Sequence, residues 1–117
     1  MPIAKNMCAI YGLDGSSAIL QLGCEKGFLL HDFHHLYPTM NVKGIEISDY
    51  AIEHSMPSIK SNILRSSFTK LPFPDNYFDF VIAIGVVYTL NLADAIRSLK
   101  EIQRVSKGKS FITLAAY

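Results

Sequence analysis

Cysteine is scarce in this 117-residue sequence: Cys8 and Cys24 are the whole complement, in unlike contexts. Two cysteines without a secretory leader do not make a disulfide framework. The opening stretch Met1 to Tyr11 holds one lysine and no long apolar run, so it reads neither as a signal peptide nor as an anchor. No apolar run approaches the length of a membrane span. An excess of charge is also missing, since eleven basic and ten acidic side chains give a formal net charge of +1. That balance offers no global electrostatic case for nucleic acid or an anionic membrane. Repeats and low-complexity segments are absent too. What remains is a single cytoplasmic domain, with half its residues hydrophobic and enough to build a core.

The apolar residues come in short runs separated by turn signals. Residues 1–16 read as irregular, ending in the turn-like Gly12-Leu13-Asp14-Gly15-Ser16. Ala18 to Leu22 is a first buried strand, stopped at Gly23. Gly27 to about Leu36 is a helix ended by Pro38, and Val42 to Ile47 is a second strand. Ser48 offers an N-cap and Asp49 a first-turn acid for a helix to about Met56, closed by Pro57. A weaker strand covers Asn62 to Ser66, and the proline-dense Leu71 to Asn76 is a loop. Phe78 to Ile84 is the strongest strand signal. Asn91 then starts a helix to about Ser106, with Ala95, Ile96, Leu99, Ile102 and Val105 at the helical period and Gly108 at its end. Ser110 to Tyr117 is the fifth strand.

Alternation of strand and helix predicts an α/β fold with a parallel sheet covered on both faces. Ligands of such sheets bind beyond the carboxyl ends of the strands, where strand order reverses. Two features stand there. The loop Leu22-Gly23-Cys24-Glu25-Lys26-Gly27 joins the first strand to a helix N-terminus, which favours a carboxylate or phosphate. It is not the G-x-G-x-x-G fingerprint, because Glu25 stands at the second glycine position, and this disfavours a nicotinamide-cofactor enzyme. Glu46 ends the second strand at the spacing of about 20 residues where an acid accepts from a ribose diol. Ile45 and Ile47 flank it and make an unpaired charge costly. Alone, the loop reads equally as an ordinary strand–helix turn; Glu46, following that loop, reads first as the ribose acceptor and second as an exposed strand end.

Together with Ile19 to Gly27 (ILQLGCEKG) and Gly44 to Ser48 (GIEIS), two further stretches carry a family resemblance: Leu71 to Val81 (LPFPDNYFDFV) and Leu99 to Gly108 (LKEIQRVSKG). In order and spacing the four stretches resemble the class I, Rossmann-like, S-adenosylmethionine-dependent methyltransferases of the small-molecule type. L-P-F-P-D-x-x-F-D before an apolar strand is the most specific. The resemblance spans roughly residues 18 to 117. It implies a five-stranded sheet of order 3-2-1-4-5 with S-adenosylmethionine across the ends of the first, second and fourth strands. Gly23, Cys24 and Gly27 would lie against the methionine part, Glu46 would hold the ribose, and Ile47 would pack on the adenine. Ser67 and Phe68 align with the pair bordering the adenine, and Ile84, Gly85 and Val86 with the floor under the sulfonium.

Three positions depart from the family pattern. Gln21 stands where an acid usually helps bind the methionine ammonium, Glu25 replaces the middle glycine, and Ser67 replaces an aspartate that accepts from the adenine amino group. Each loss, if buried and unpaired, weakens binding by about 1–3 kcal/mol. Methyl transfer is an in-line displacement that needs alignment and exclusion of water, so the resemblance carries over no catalytic residue. Tyr88 reads first as a half-buried aromatic and second as a polar group on the acceptor side.

His31 and His35 sit at i and i+4, without a third ligand, and are read as solvated along with His34 and His54. Arg97, Lys100, Arg104 and Lys107 read as the solvated face of the last helix. The family normally continues past the fifth strand with a helix and a hairpin. The expectation is therefore a truncated domain, with Phe111 to Ala116 as an exposed edge that pairs in a homodimer or marks a fragment of a longer protein. The expected function is methyl transfer to a small-molecule acceptor, with no membrane or nucleic-acid partner. The alternative is a non-catalytic binding or assembly module on the same fold.

Overall fold

In the computed structural model, residues 2–113 are described, apart from the side chain of Tyr88. The elements run α1 (Pro2–Tyr11), β1 (Ala18–Leu22), α2 (Phe28–Leu36), β2 (Asn41–Glu46), α3 (Asp49–Glu53), β3 (Ile63–Arg65), β4 (Phe80–Ala83), α4 (Leu92–Val105) and β5 (Ser110–Ile112). Short 3-10 turns lie at Lys60–Asn62 and Val87–Thr89. The strands form one sheet of order β3-β2-β1-β4-β5, and every pair is parallel. The expected α/β architecture and strand order are thus observed. No described helix is long and apolar enough to cross a membrane.

Each central strand buries both faces, which explains its short unbroken apolar run. Ile19, Val42, Phe80 and Ile82 meet Leu30 and Phe33 of α2 and Ala4, Met7 and Cys8 of α1. On the other face Leu20, Leu22, Ile45 and Val81 meet Ile102 and Val105 of α4, with Phe68, Leu71 and Phe78 from the loops. Phe33, Phe78 and Phe80 are fully buried, each contributing roughly 1.5–3 kcal/mol of burial energy.

The first correction concerns residues 1–16, which are not irregular. Pro2 opens α1 at the position where a missing N–H costs nothing. Ala4, Met7 and Cys8 are buried, and Tyr11 stacks on Phe80 with ring centroids 4.3 Å apart. These positions recur at the helical spacing, and they cover the face of β1 and β4 beside α2.

Several strands are shorter than their apolar runs, for local reasons. β2 ends at Glu46 because the next two amides, Ile47 N–H and Ser48 N–H, donate to the Glu46 carboxylate. β4 ends at Ala83, paired with Leu22; beyond it Gly23 turns away at φ +66° and gives its N–H to the Ile45 carbonyl. Ile84 therefore has no rung and is turned out. At the other end Asp79 holds the start of β1, its backbone donating to the Ala18 carbonyl and its carboxylate accepting from Ala18 N–H. α3 stops at Glu53, short of Met56, whose N–H donates to the Lys26 carbonyl. The fifth strand is observed over Ser110–Ile112 at the sheet edge, and Leu114 to Tyr117 lie outside the described residues.

α4 begins as the sequence predicts, with the Asn91 side chain accepting from Asp94 N–H. Two positions differ. Ile96, read as core-facing, is 44% exposed. Arg104, read as solvated, turns back on the Leu71–Asp75 loop: its guanidinium donates to the carbonyls of Leu71 and Phe73 and to the carboxylates of Asp75 and Glu101. Leu71 N–H donates in turn to Glu101. The proline-rich stretch and the E-x-x-R pair of α4 are two halves of one clamp.

Candidate functional site

The loop Gly23 to Gly27 lies between the carboxyl ends of β1, β2 and β4, at the topological switch point. Two cavities adjoin it. One, of about 510 Å³, lies on the α1/α2 side and is lined by Gln21, Cys24, Phe28 and Asp32, with Pro2 and Ile3 of α1 as its outer wall. The other, of about 190 Å³, lies toward β2 and is lined by Glu46, Ile47, Phe68, Gly85 and Thr89. Gly23, Glu25 and Ile84 line both, so the loop forms a saddle between them. The larger volume falls in the range of small-molecule sites, about 300–1,000 Å³.

Glu46 organises this saddle. It is buried, and its Oε1 accepts from Glu25 N–H at 2.8 Å, while Oε2 accepts from Ile47 N–H at 3.0 Å and Ser48 N–H at 2.9 Å. A carboxylate offers about four lone-pair sites. Three are engaged by the chain itself, which leaves one on Oε1. The expected role of Glu46 rested on a free pair of oxygens, and only part of that pair is open.

Gln21 points to the same sheet face as Ile19 and is buried, and its Oε1 has no hydrogen-bond partner. A buried amide oxygen left unpaired is costly, so the arrangement suits a ligand with an N–H or O–H group. Glu25 holds φ +52°, the left-handed region that disfavours a side chain. Its carboxylate is exposed and makes no hydrogen bond or ion pair among the described residues. The Gly27 end of α2 has no side-chain cap and no acid in its first turn, which leaves it suited to an anion. Among the described residues no lysine, arginine or histidine lines either cavity.

Of the residues read from sequence, Gln21, Gly23, Cys24, Glu46, Ile47, Phe68, Ile84 and Gly85 are brought together around the saddle, with Val86 beside them. Gly27 and Ser67 stand outside the two linings. Gly27, at φ +81°, is buried, and a Cβ there would strike Ile59, so packing rather than ligand approach accounts for it. Ser67 sits on an exposed loop, with its hydroxyl 2.7 Å from that of Thr69. Cys24 is a thiol and not a nucleophile: burial, aided by the Glu46 charge, pushes its pKa up to about 12. Tyr88 lies in the 3-10 turn, and its side chain is outside the described residues. His31 is bonded to Ser58, and His54 stacks on Tyr50, away from the saddle.

Sequence reading missed the α1 wall, although Ala4, Met7, Cys8 and Tyr11 carried its signal. It also missed Thr89, placed by a 3-10 turn whose backbone and hydroxyl both donate to the Val86 carbonyl, and Phe28, whose exposed ring borders the larger cavity.

Comparison with known proteins agrees with this fold. The family described as "Methyltransferase domain" matches residues 20–114. An uncharacterized methyltransferase of Schizosaccharomyces pombe is 31% identical over 106 residues, covering 80% of this chain and 37% of that protein. Cycloartenol-C-24-methyltransferase of Arabidopsis thaliana is 32% identical over 114 residues, covering 91% of this chain and 32% of that protein. The chain thus spans about a third of the length of the curated relatives it matches. Among solved structures, a SAM-dependent methyltransferase from Aquifex aeolicus superposes with a TM-score of 0.71 at 22% identity, covering 88% of this chain and 57% of that one. The [4+2]-cyclase SpnF superposes at 0.76 with 20% identity, covering 90% and 40%. A cyclase by name shares the architecture, so the fold alone does not fix the reaction. The extent of the family match and the identity to the relatives do fix the family: this chain belongs to the methyltransferase domain family, of the class I Rossmann-like type.

Proposed function

We propose that this domain binds S-adenosylmethionine at the Gly23 saddle and takes part in methyl transfer to a small-molecule acceptor. The family and the fold imply that cofactor. The observation that carries the residue-level reading is the meeting of two cavities at one loop. One side offers a buried carboxylate with a lone pair left on Oε1, and the other an unpartnered buried amide.

When bound, the cofactor supplies a methyl group on a positively charged sulfur. The residues of this chain bind and orient. Glu46 accepts from one ribose hydroxyl through Oε1, and exposed Ile47 with Phe68 gives the adenine apolar contact. The uncapped start of α2 takes the methionine carboxylate. Ile84 and Gly85 form the floor, and Phe28, Ile3 and Pro2 shield the larger cavity from water on the acceptor side. Among the described residues the linings carry the carboxylates of Glu25, Asp32 and Glu46 and no cationic side chain, which favours a positively charged ligand.

A thermal-shift series tests the reading. S-adenosylhomocysteine at about 100 times its Kd adds about 2.7 kcal/mol to stability and raises the Tm by several degrees. Ile47→Asp, at an exposed position, removes the shift while leaving the unliganded Tm unchanged. An unshifted wild-type Tm across the same range contradicts the proposal.

A further inference from the structure

We infer that the Glu25 carboxylate binds the α-ammonium of the cofactor's methionine part, supplying the negative charge that Gln21 does not. The inference rests on the proposed cofactor site and concerns how this chain fills it.

Gln21 and Glu25 line the same cavity of about 510 Å³. Gln21 is 8% exposed, and its Oε1 lacks a partner; a half-turn of the amide end exchanges Oε1 and Nε2, so the oxygen can face the cavity. Among the described residues Glu25 brings a carboxylate to that lining with no hydrogen bond or ion pair, whereas Asp32 has an interaction of its own. Its backbone is pinned at φ +52° by the N–H bond to Glu46, so the side chain is held over the saddle in a conformation that glycine adopts more easily. A side chain held in a disfavoured backbone region at a cavity-lining position points to a function for that side chain. Among the described residues no cationic side chain in the lining competes for it.

An ammonium has three N–H donors. One directed at Gln21 Oε1 and one at Glu25 would satisfy the orphaned amide and form a charge-assisted hydrogen bond. The adjoining carboxylate of the same amino acid then falls toward the start of α2, where Phe28 and Leu29 line the cavity. A rival view gives Glu25 the opposite effect, repulsion of that carboxylate. The two predict opposite signs.

Calorimetric titration of the whole chain separates them, with S-adenosylhomocysteine and with 5′-methylthioadenosine, which has the nucleoside and sulfur but no amino-acid head. Glu25→Gln should weaken S-adenosylhomocysteine about tenfold and leave 5′-methylthioadenosine within about twofold. Raising salt from about 0.05 to about 0.5 M should weaken S-adenosylhomocysteine binding to the wild type more than to Glu25→Gln. Equal or tighter binding of S-adenosylhomocysteine by Glu25→Gln overturns the inference and leaves the site standing. Failure of folded wild-type protein to bind either ligand overturns the site and the inference together.

Discussion

The backbone N–H of Glu25 donates to Oε1 of Glu46 across 2.8 Å, tying the loop after β1 to the end of β2. With Ile47 N–H and Ser48 N–H on the other oxygen, Glu46 is a structural acceptor before it meets any ligand. Removing it should therefore loosen the loop as well as the site. Glu46→Ala is expected to lower stability by about 2–3 kcal/mol and Glu46→Gln by about 1 kcal/mol, read as shifts of the urea midpoint. An Ala variant as stable as wild type would show that these amides find other partners.

Arg104 joins α4 to the Leu71–Asp75 loop through three loop groups, the carbonyls of Leu71 and Phe73 and the Asp75 carboxylate, while also donating to Glu101 one turn back in α4. Arg104→Met should cost about 2–4 kcal/mol, since two carbonyls and a half-buried carboxylate lose their donor. Arg104→Lys should recover less than half of that, because a point ammonium cannot span the same fork. Equal stability of the Lys variant and the wild type would rule out the planar clamp.

The same clamp sets an acid limit. Hydrogen bonding from Arg104, with Leu71 N–H also contributing, holds the Glu101 carboxyl below its ordinary value of 4.5. A carboxyl depressed in the folded state stabilises the fold above its unfolded value, and the gain is lost as pH falls through the folded value. Stability should thus drop on acidification from about pH 5 downward, and Glu101→Gln should flatten that part of the profile. Parallel profiles for the two proteins would remove Glu101 from the account.

Both thiols are buried, and burial raises both: Cys8 above its ordinary value, Cys24 to about 12. At pH 8 neither should react with a disulfide reagent within minutes, and both should react at once in denaturant. Rapid labelling of Cys24 in folded protein would mean that the Gly23 loop opens readily.

The central strands and the loop of the candidate site were legible because parallel strands are short apolar runs and each ends at a marked residue; the sheet order was implied by the family resemblance alone. β1 matched its run residue for residue. Ile47 and Ile84 were read as strand and lie one step beyond it: the Glu46 carboxylate takes the amides that would continue β2, and the turn at Gly23 in the neighbouring strand leaves Ile84 without a rung. α1 was overlooked in favour of the turn residues that follow it, although its buried positions were regularly spaced. Arg104 reads like any charge on an amphipathic helix until the loop some 30 residues upstream folds against it. Ser67 aligned with an adenine contact, yet its hydroxyl serves the turn to Thr69.

The central claim is that the Gly23 saddle holds S-adenosylmethionine, and calorimetric titration of the folded chain with S-adenosylhomocysteine tests it most directly. Micromolar binding at one site per chain, weakened at least tenfold in Glu46→Gln with the fold intact, is the predicted result. The absence of binding by well-folded wild-type protein, or binding indifferent to Glu46, would contradict it.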